Sequence, residues 1–393
     1  MPPAPSIALV HDWLDRPGGG EAVLASLVAL FPQAPVFTLV DFLSADERSK
    51  LGAATIHTSP LQRAPLARRW FRYAAALAPA VIERLDCTGY DVVVSDSHAI
   101  AKGVRKVEGQ LHVCYCHTPA RFAWTMAATY SDRAASGSHL RAAIAQRAQA
   151  RFRAWDLAAS RNVDHFIANS RHIADAIARC YEREAKVIYP PVDVERFHAV
   201  GRGAREDFYV TVSRLVPYKR MDLLIDAFRK LPARRLMIVG DGPERARLAR
   251  DLPPNVTLPG RLGDAQIADL LGRARAFVFA AYEDFGIAPV EAQAAGTPVI
   301  AFGGGGARET IRDLGSTLPT GVLFDTQSTD AIVGAIARFE QATIDADACR
   351  INAARFSAAR FRVEFAAHFA SLLDAAGRPH VASLRVDTPC EAC

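Results

Sequence analysis

Short apolar runs alternate along the chain with longer segments of helical periodicity. This alternation predicts an α/β fold with parallel sheets and helices on both faces, because parallel strands are joined by long crossover connections. Runs that are apolar without interruption, such as residues 92–94 and 277–279, are typical of strands covered on both faces. The predicted strands are residues 7–10, 36–40, 91–95, 111–116, 165–169, 208–212, 236–239, 256–258, 276–279, 299–302 and 322–324.

The strand pattern breaks off at Pro190 and resumes near residue 208. The segment between contains two prolines, two glycines and mixed charges without apolar periodicity, so it is predicted to be a linker. We therefore expect two doubly wound, Rossmann-like domains over residues 1–195 and 206–355. Phenylalanines in helical register predict a last helix within residues 356–376, packed on the first domain, and a mobile tail over 377–393.

Composition excludes several classes of protein. Half of the 393 residues are hydrophobic and 23% are charged, which excludes a disordered chain. Lys and Arg exceed Asp and Glu by only five, 47 against 42, too few to indicate a nucleic-acid-binding protein. An odd number of cysteines, seven, favours a reducing cytosol over a disulfide framework. Residues 22–40 carry no charge, but Pro32 and Pro35 interrupt them, so we expect no membrane span and no secretory signal.

The loop after predicted strand 276–279 carries two carboxylates, Glu283 and Glu291. Gly286 between them lets the backbone approach a ligand, and a helix from about residue 288 directs free N–H groups at the loop, which suits a phosphate. Glu291 could accept hydrogen bonds from both hydroxyls of a sugar diol. Two solvated carboxylates at a helix start are the alternative. The four glycines at 303–306 favour the ligand site.

A basic turn, Ser213 to Arg220, follows predicted strand 208–212. At the carboxyl end of a parallel strand, Arg214 and Lys219 could neutralise a diphosphate, the arginine through two N–H groups and the lysine as a point charge. Only six of the 47 basic residues are lysines, so Lys219 is an unusual choice in this chain. A solvated basic turn is the alternative.

Two features of the amino half point to anion or proton chemistry. Gly18–Gly20 opens a predicted helix over 22–30 and could cradle an anion, with a plain turn as the alternative. It departs from G-x-G-x-x-G and lacks a P-loop lysine, which disfavours a dehydrogenase or an NTPase. His117 ends strand 111–116 and could donate a hydrogen bond or handle a proton. Cys114 and Cys116 precede it, but Cys116 and His117 alternate in face, so buried thiols are expected rather than a metal site.

Two other signatures are absent. No strand ends in the Asp-x-Asp of metal-dependent nucleotide-sugar sites, and no Gly-x-Ser-x-Gly indicates a hydrolase. The pair Cys390 and Cys393 near the end of the chain has no assigned role.

Taken together, these motifs resemble bacterial glycosyltransferase family 4, with the GT-B architecture of two Rossmann-like domains facing each other across a cleft. The carboxyl half carries the resemblance in residues 214–219, 239–243, 260–262 and 283–309. The amino half resembles GDP-mannose-dependent mannosyltransferases of surface-polysaccharide assembly in residues 91–98, 101–103, 115–124, 168–170 and 190–193. The resemblance covers roughly residues 7–375.

The resemblance implies transfer of a hexose from a nucleotide sugar with retention of configuration, without a required metal or other cofactor. Arg214 and Lys219 match the residues that hold the donor diphosphate. Glu283 matches the carboxylate that contacts the donor sugar, Glu291 the one that binds the ribose, and His117 the histidine near the reacting carbon. The remaining donor contacts would be Gly19 and Gly20 over the phosphates, Leu262 and Asp264 at the base, and Phe285, Gly286 and Ile287 along the sugar and phosphates.

The donor, acceptor and location are expectations of the same kind. An Asp264 carboxylate could accept from N1 and the exocyclic amine of guanine, which favours GDP-mannose over a UDP-sugar. The resemblance implies a polyprenyl-diphosphate-linked oligosaccharide as acceptor, at the inner face of the plasma membrane. A nucleotide- or glycan-binding protein without turnover is the alternative from another functional class.

Charge is unevenly placed along the amino half. Residues 51–82 and 133–154 contain no acidic residue. The arginines of these two basic segments are Arg63, Arg68, Arg69 and Arg72, and Arg133, Arg141, Arg147, Arg151 and Arg153. Basic segments 63–72 and 133–153 could bind anionic phospholipid and the diphosphate of an acceptor. An ordinary solvated arginine face is the alternative.

Overall fold

The chain forms two compact units, one made of Met1–Pro191 with Ala359–Cys393 and the other of Val192–Ala358. The structure is a computed structural model. It describes residues 4–65, 67–70, 78–124, 139–197, 199–200, 203–379 and 381.

The first unit is built on a parallel seven-stranded sheet of order β3-β2-β1-β4-β5-β6-β7. Its strands are β1 Ile7–His11, β2 Val36–Thr38, β3 Ile56–Thr58, β4 Val92–Ser97, β5 Leu111–Cys116, β6 His165–Ala168 and β7 Ala185–Val187. The central strands β1, β4 and β5 are buried at every position, as their apolar runs predict.

The second unit is built on a parallel six-stranded sheet of order β10-β9-β8-β11-β12-β13. Its strands are β8 Tyr209–Val212, β9 Leu236–Val239, β10 Val256–Gly260, β11 Ala276–Phe279, β12 Val299–Phe302 and β13 Gly321–Phe324. The predicted α/β class with two Rossmann-like sheets is confirmed.

Helices join the strands in both units. Those of the first are α1 Gly19–Leu30, α2 Ala45–Leu51, α3 Ala67–Trp70, α4 Ala78–Ile82, α5 His139–Ser160 and α6 Arg171–Tyr181. Those that follow are α7 Met221–Arg229, α8 Arg245–Leu248, α9 Asp264–Arg273, α10 Ile287–Ala294, α11 Ala307–Thr310, α12 Thr329–Glu340, α13 Ala346–Ala354 and α14 Ala358–Ala375. The core of the first unit includes three phenylalanines of α14, Phe361, Phe365 and Phe369. Phe31, which directly follows α1, packs against Phe365 and Phe369.

The structure differs from the sequence-based expectations at two edge strands and in the expected linker. Strands β3 and β7 were not predicted, because edge strands of three residues with exposed polar positions carry no apolar run. The linker expected over 190–207 is wrong for residues 192–197. Val192, Val194 and Phe197 are buried there, and the Val192 N–H donates to the Phe356 carbonyl within the second unit. The prolines and charges around these three apolar residues hid their packing.

Among the described residues, no helix is long and apolar enough to cross a bilayer.

Candidate functional site

Each sheet has one point at which the strand order reverses, between β1 and β4 in the first unit and between β8 and β11 in the second. Ligands of open α/β sheets bind outside the carboxyl ends of the strands at such a switch point. The Gly18–Gly20 turn follows β1, the basic turn at 213–220 follows β8, and the Glu283 loop follows β11. The topology therefore brings the predicted motifs of each unit to its switch point.

Lys219 and Glu283 form the central contact of the second unit. Lys219 ends a short 3-10 turn, Pro217–Lys219, and its Nζ forms an ion pair with Glu283 Oε1. The two side chains are 17% and 15% exposed, whereas the pairing atom itself, Glu283 Oε1, is buried. The Lys219 ammonium also lies 5.5 Å from the Phe279 ring centre. The predicted diphosphate-binding cation and the predicted sugar-binding carboxylate are thus neighbours, whereas the Arg214 side chain is exposed.

Two glycines shape the backbone around Glu283. Gly286 precedes α10 with φ +89°, a conformation that side chains disfavour. Gly305 has φ +62°, and a Cβ there would lie 2.1 Å from the Glu283 carbonyl oxygen. The Gly306 N–H donates to that same oxygen at 2.9 Å. The glycine run therefore lets the loop after β12 close against the Glu283 backbone. Phe285, beside it, is buried against Phe356.

Glu291 is paired with an arginine that the sequence did not indicate as a site residue. Arg196 Nη2 lies 2.8 Å from Glu291 Oε1, and Arg196 Nη1 lies 3.6 Å from Asp264 Oδ2. One guanidinium thus joins the predicted ribose-binding and base-reading carboxylates. Burial raises the pKa of Glu291, the Arg196 charge opposes that rise, and the carboxylates of Asp264 and Asp193 add to it. The apolar residues Val192, Val194 and Phe197 around Arg196 are the sequence signal that its segment is packed.

The other predicted donor contacts of the second unit lie nearby in the chain. Asp264 is the first residue of α9 and its side chain is 80% exposed, and Leu262 is half-buried two residues earlier. Ile287 is the first residue of α10 and is half-buried. That these residues contact the donor stays a prediction.

In the first unit, His117 belongs to a cluster with His11, Asp96 and Gly20. Asp96 Oδ1 lies 2.5 Å from His117 Nε2, and Asp96 Oδ2 lies 2.9 Å from His11 Nδ1. Gly19 and Gly20 form the first turn of α1, which begins three residues earlier than predicted. A Cβ on Gly20 would lie 3.5 Å from His11 Cε1 and 3.8 Å from His117 Nε2. The sequence did not indicate His11 or Asp96 as site residues, although each directly follows a predicted strand, 7–10 and 91–95 respectively.

Cys114 and Cys116 are fully buried and free, as expected. The hydrogen bond between the two thiols and their burial raise the pKa of Cys116 well above its usual value. Across the described ranges, no three His, Cys, Asp or Glu side chains are grouped as metal ligands. Cys390 and Cys393 lie outside the described residues.

The basic segments are only partly described. Arg72 and Arg133 lie outside the described residues, as do the side chains of Arg69 and Arg141. The side chains of Arg63, Arg68, Arg147 and Arg151 are exposed. Arg153 differs, because its guanidinium donates two hydrogen bonds to the Ala123 carbonyl and lies 5.1 Å from the Trp124 ring centre.

Comparison with known proteins adds to this geometry. Residues 194–356 match the family model of glycosyl transferases group 1, and residues 17–196 match that of glycosyltransferase family 4. A D-inositol 3-phosphate glycosyltransferase of Mycobacterium sp. (strain KMS) is 32% identical over 176 residues, which are 38% of this chain and 39% of that protein. The match thus spans about two fifths of the length of that curated relative.

Solved structures match over nearly the whole chain at low sequence identity. The Anabaena protein HepE in complex with UDP and glucose is 20% identical with a TM-score of 0.63, covering 93% of this chain and 100% of that one. A sucrose-phosphate synthase from Thermosynechococcus elongatus is 20% identical with a TM-score of 0.66, covering 94% and 99%. The chain therefore has the GT-B glycosyltransferase fold, and its amino half matches the family 4 model while its carboxyl half matches the group 1 model.

Proposed function

We propose that the chain transfers a hexose from a nucleoside diphosphate sugar to an acceptor hydroxyl, with retention of configuration and without a metal ion. The observation that carries the proposal is the Lys219–Glu283 pair at the switch point of the second unit. It lies one short loop before the N-terminus of α10, and Glu291 lies on that same helix. A cation, a helix start and two carboxylates are the groups that a diphosphate, a sugar and a ribose require.

The chemistry follows from where charge develops. Breaking the bond between the anomeric carbon and the phosphate oxygen places negative charge on the β-phosphate. Lys219 and the free N–H groups at the start of α10 would stabilise that charge without a divalent ion, with the exposed Arg214 as a second cation. The acceptor would attack from the face that the phosphate leaves, and the phosphate oxygen would take the acceptor proton. Glu283 would accept hydrogen bonds from sugar hydroxyls and would not act as a nucleophile.

Two donor bases are supported by different observations. GDP-mannose is favoured by the Asp264 carboxylate, which matches the two adjacent donors of guanine and is 80% exposed. A UDP-sugar is favoured by the likeness to HepE, which was solved with UDP, and by Arg196, which draws the Asp264 carboxylate toward Glu291. We place GDP-mannose first and the UDP-sugar second.

A thermal-shift panel tests the donor. GDP, UDP and ADP, each alone and as sugar conjugates, are added to the chain with and without EDTA. A ligand that binds only the folded state raises the melting temperature by mass action, so guanine compounds should give the largest rise, unchanged by EDTA. Selective stabilisation by uracil compounds would overturn the choice of base. Stabilisation by none of the compounds would contradict the proposed function.

We also propose a lipid-linked acceptor and a peripheral membrane location. On α5, Ile144 is 61% exposed and shares a helical face with Arg147 and Arg151, whose side chains are exposed. An exposed apolar residue beside two cations suits the surface of an anionic membrane. A polyprenyl diphosphate would present the same combination of apolar chain and negative charge.

Vesicle co-sedimentation tests this surface. The chain should bind vesicles containing phosphatidylglycerol at low salt and dissociate at high salt, because exposed charges are screened. Replacing Arg147 and Arg151 by alanine should weaken binding, while the same change at the exposed Arg247 and Arg250 of the second unit should not. Binding that is equal in both variants, or insensitive to salt, would contradict this role.

A further inference from the structure

Three side chains from neighbouring strands meet at the switch point of the first unit. His11 is the last residue of β1, Asp96 is the last residue but one of β4, and His117 directly follows β5. The Asp96 carboxylate bridges the two rings, with one oxygen 2.9 Å from His11 Nδ1 and the other 2.5 Å from His117 Nε2. His11 and Asp96 are fully buried, whereas the His117 side chain is 13% exposed. His117 is thus the member of the three that solvent can reach.

The positions of the hydrogens follow from the charge of Asp96. Burial alone would raise the pKa of the Asp96 carboxyl, but the adjacent His117 and His11 rings hold that pKa below its usual value. An ionised carboxylate has only acceptor atoms, so both rings donate to it, His11 through Nδ1–H and His117 through Nε2–H. Nδ1 is then the nitrogen of His117 left to exchange a proton or a hydrogen bond with a substrate.

His11 is, with His117, one of the two rings that keep Asp96 ionised. Burial alone would lower the pKa of His11, but the hydrogen bond to Asp96 and the Glu21 carboxylate, whose Oε1 lies 3.9 Å from His11 Nε2, raise that pKa to about 10. His11 is therefore a cation at neutral pH. Its Nε2 is buried and has no hydrogen-bond partner among the described residues.

The other titratable groups around the cluster are held in place. The His98 ring lies 6.2 Å from that of His11 and 6.4 Å from that of His117, and His98 Nδ1 lies 2.8 Å from Asp12 Oδ2. Asp12 also accepts four backbone N–H groups, from residues 98 to 101. Burial raises the pKa of Tyr115 well above its usual value, so this ring, 5.2 Å from His117, stays neutral.

We propose that Asp96 is a positioning residue that fixes His117 in its Nε2–H form, while its second carboxylate oxygen is held by His11. The backbone of His117 is fixed as well, because its N–H donates to the Ser97 carbonyl at 2.8 Å and Asn169 Nδ2 donates to its carbonyl at 3.0 Å. Ring and backbone are thus both held, as a catalytic imidazole requires. The inference rests on the proposed function only for the role of His117; the hydrogen positions belong to the chain alone.

Nuclear magnetic resonance of the ¹⁵N-histidine-labelled full chain tests the hydrogen positions, with His11→Gln and His117→Gln to assign the signals. Between the usual histidine pKa of about 6.5 and about 10, His11 should carry protons on both nitrogens. Neutral His117 should carry its proton on Nε2. A neutral His11 in this range, or a His117 proton on Nδ1, would overturn the inference, and neither result requires that an Asp96 variant folds.

The variant Asp96→Asn gives the second readout. An asparagine side chain offers one acceptor oxygen and one donor N–H₂ group in place of two acceptor oxygens. At least one of the two rings should therefore change from hydrogen-bond donor to acceptor. We also expect His11 to lose its charge. The control is Asp91→Asn. Asp91 directly precedes the first residue of β4, and its carboxylate accepts hydrogen bonds from the N–H and the hydroxyl of Ser6. Unchanged histidine spectra in Asp96→Asn would contradict the proposal.

Turnover separates this inference from the proposed function. Asp96→Asn should lower kcat about 100-fold, the lower range for the loss of one fixed hydrogen-bonding group from a transition state, and leave the Kd of the nucleoside diphosphate within about twofold. A loss of nucleotide affinity equal to the loss of kcat would indicate a merely structural role. If no nucleotide binds even the wild-type chain, the proposed function fails, while the histidine spectra still decide the role of Asp96.

Discussion

Replacing Lys219 by alanine should reduce turnover of the nucleotide sugar by about 100- to 1,000-fold, the range for removing one fixed donor from a developing oxyanion. The reason is twofold. Under the proposed function the change removes a cation assigned to the developing phosphate charge, and it leaves Glu283 without its ion-pair partner. The affinity for the nucleoside diphosphate should fall as well. Release of nucleoside diphosphate, followed by ³¹P nuclear magnetic resonance, measures both effects.

Lys230 offers the matched control. It is also a lysine of the second unit paired with a carboxylate, Asp330, at 2.7 Å, but both side chains are exposed, 56% and 86%. Lys230→Ala should therefore leave turnover and nucleotide affinity unchanged. Equal effects of the two replacements would show that Lys219 contributes only general charge.

Asp156→Ala should destabilise the chain by about 3–5 kcal/mol, the range for breaking a buried ion pair. Asp156 and Lys102 are both fully buried, with Asp156 Oδ1 2.5 Å from Lys102 Nζ. Burial alone would lower the pKa of Lys102, but Asp156 raises it above its usual value, so the lysine stays charged. Asp156 Oδ2 also accepts from Trp124 Nε1 at 2.8 Å and from the Tyr181 hydroxyl at 2.6 Å. The replacement would leave the buried Lys102 ammonium without its counter-charge, with only its hydrogen bond to the Ala99 carbonyl, and would remove the acceptor of the Trp124 and Tyr181 donors.

Equilibrium denaturation measures this change. Asp330→Ala is the control, because an exposed ion pair contributes at most about 1 kcal/mol. The free energy of unfolding should fall clearly more in Asp156→Ala than in the control. A loss of less than about 1 kcal/mol in Asp156→Ala would contradict the contribution assigned to the buried pair.

The sequence predicts the sheets well where a strand is buried on both faces, because such a strand consists largely of apolar residues. Central strands such as β5 and β12 have the bounds that their apolar runs indicate, because both faces are covered. The edge strands β3 and β7 escape prediction because water on one side permits His57 and Lys186 there. The packed segment 192–197 escapes because its partners are far away in sequence, as the hydrogen bond from the Val192 N–H to the Phe356 carbonyl shows.

The candidate site is predictable to the same extent. Lys219, Glu283 and His117 follow strands, so local pattern and strand direction place them at the switch points. Arg196 and Asp96 act through partners 95 and 21 residues away, and no local spacing encodes such a pairing.

The most direct test of the central claim is ³¹P nuclear magnetic resonance of nucleotide sugars incubated with the full chain in EDTA. A glycosyltransferase should convert its donor to nucleoside diphosphate, by transfer when an acceptor is present and by slower hydrolysis without one. The account predicts that the wild-type chain and Lys230→Ala release nucleoside diphosphate and that Lys219→Ala does so at least about 100-fold more slowly. Tight nucleotide binding without any release would contradict it and identify a nucleotide-binding protein without turnover.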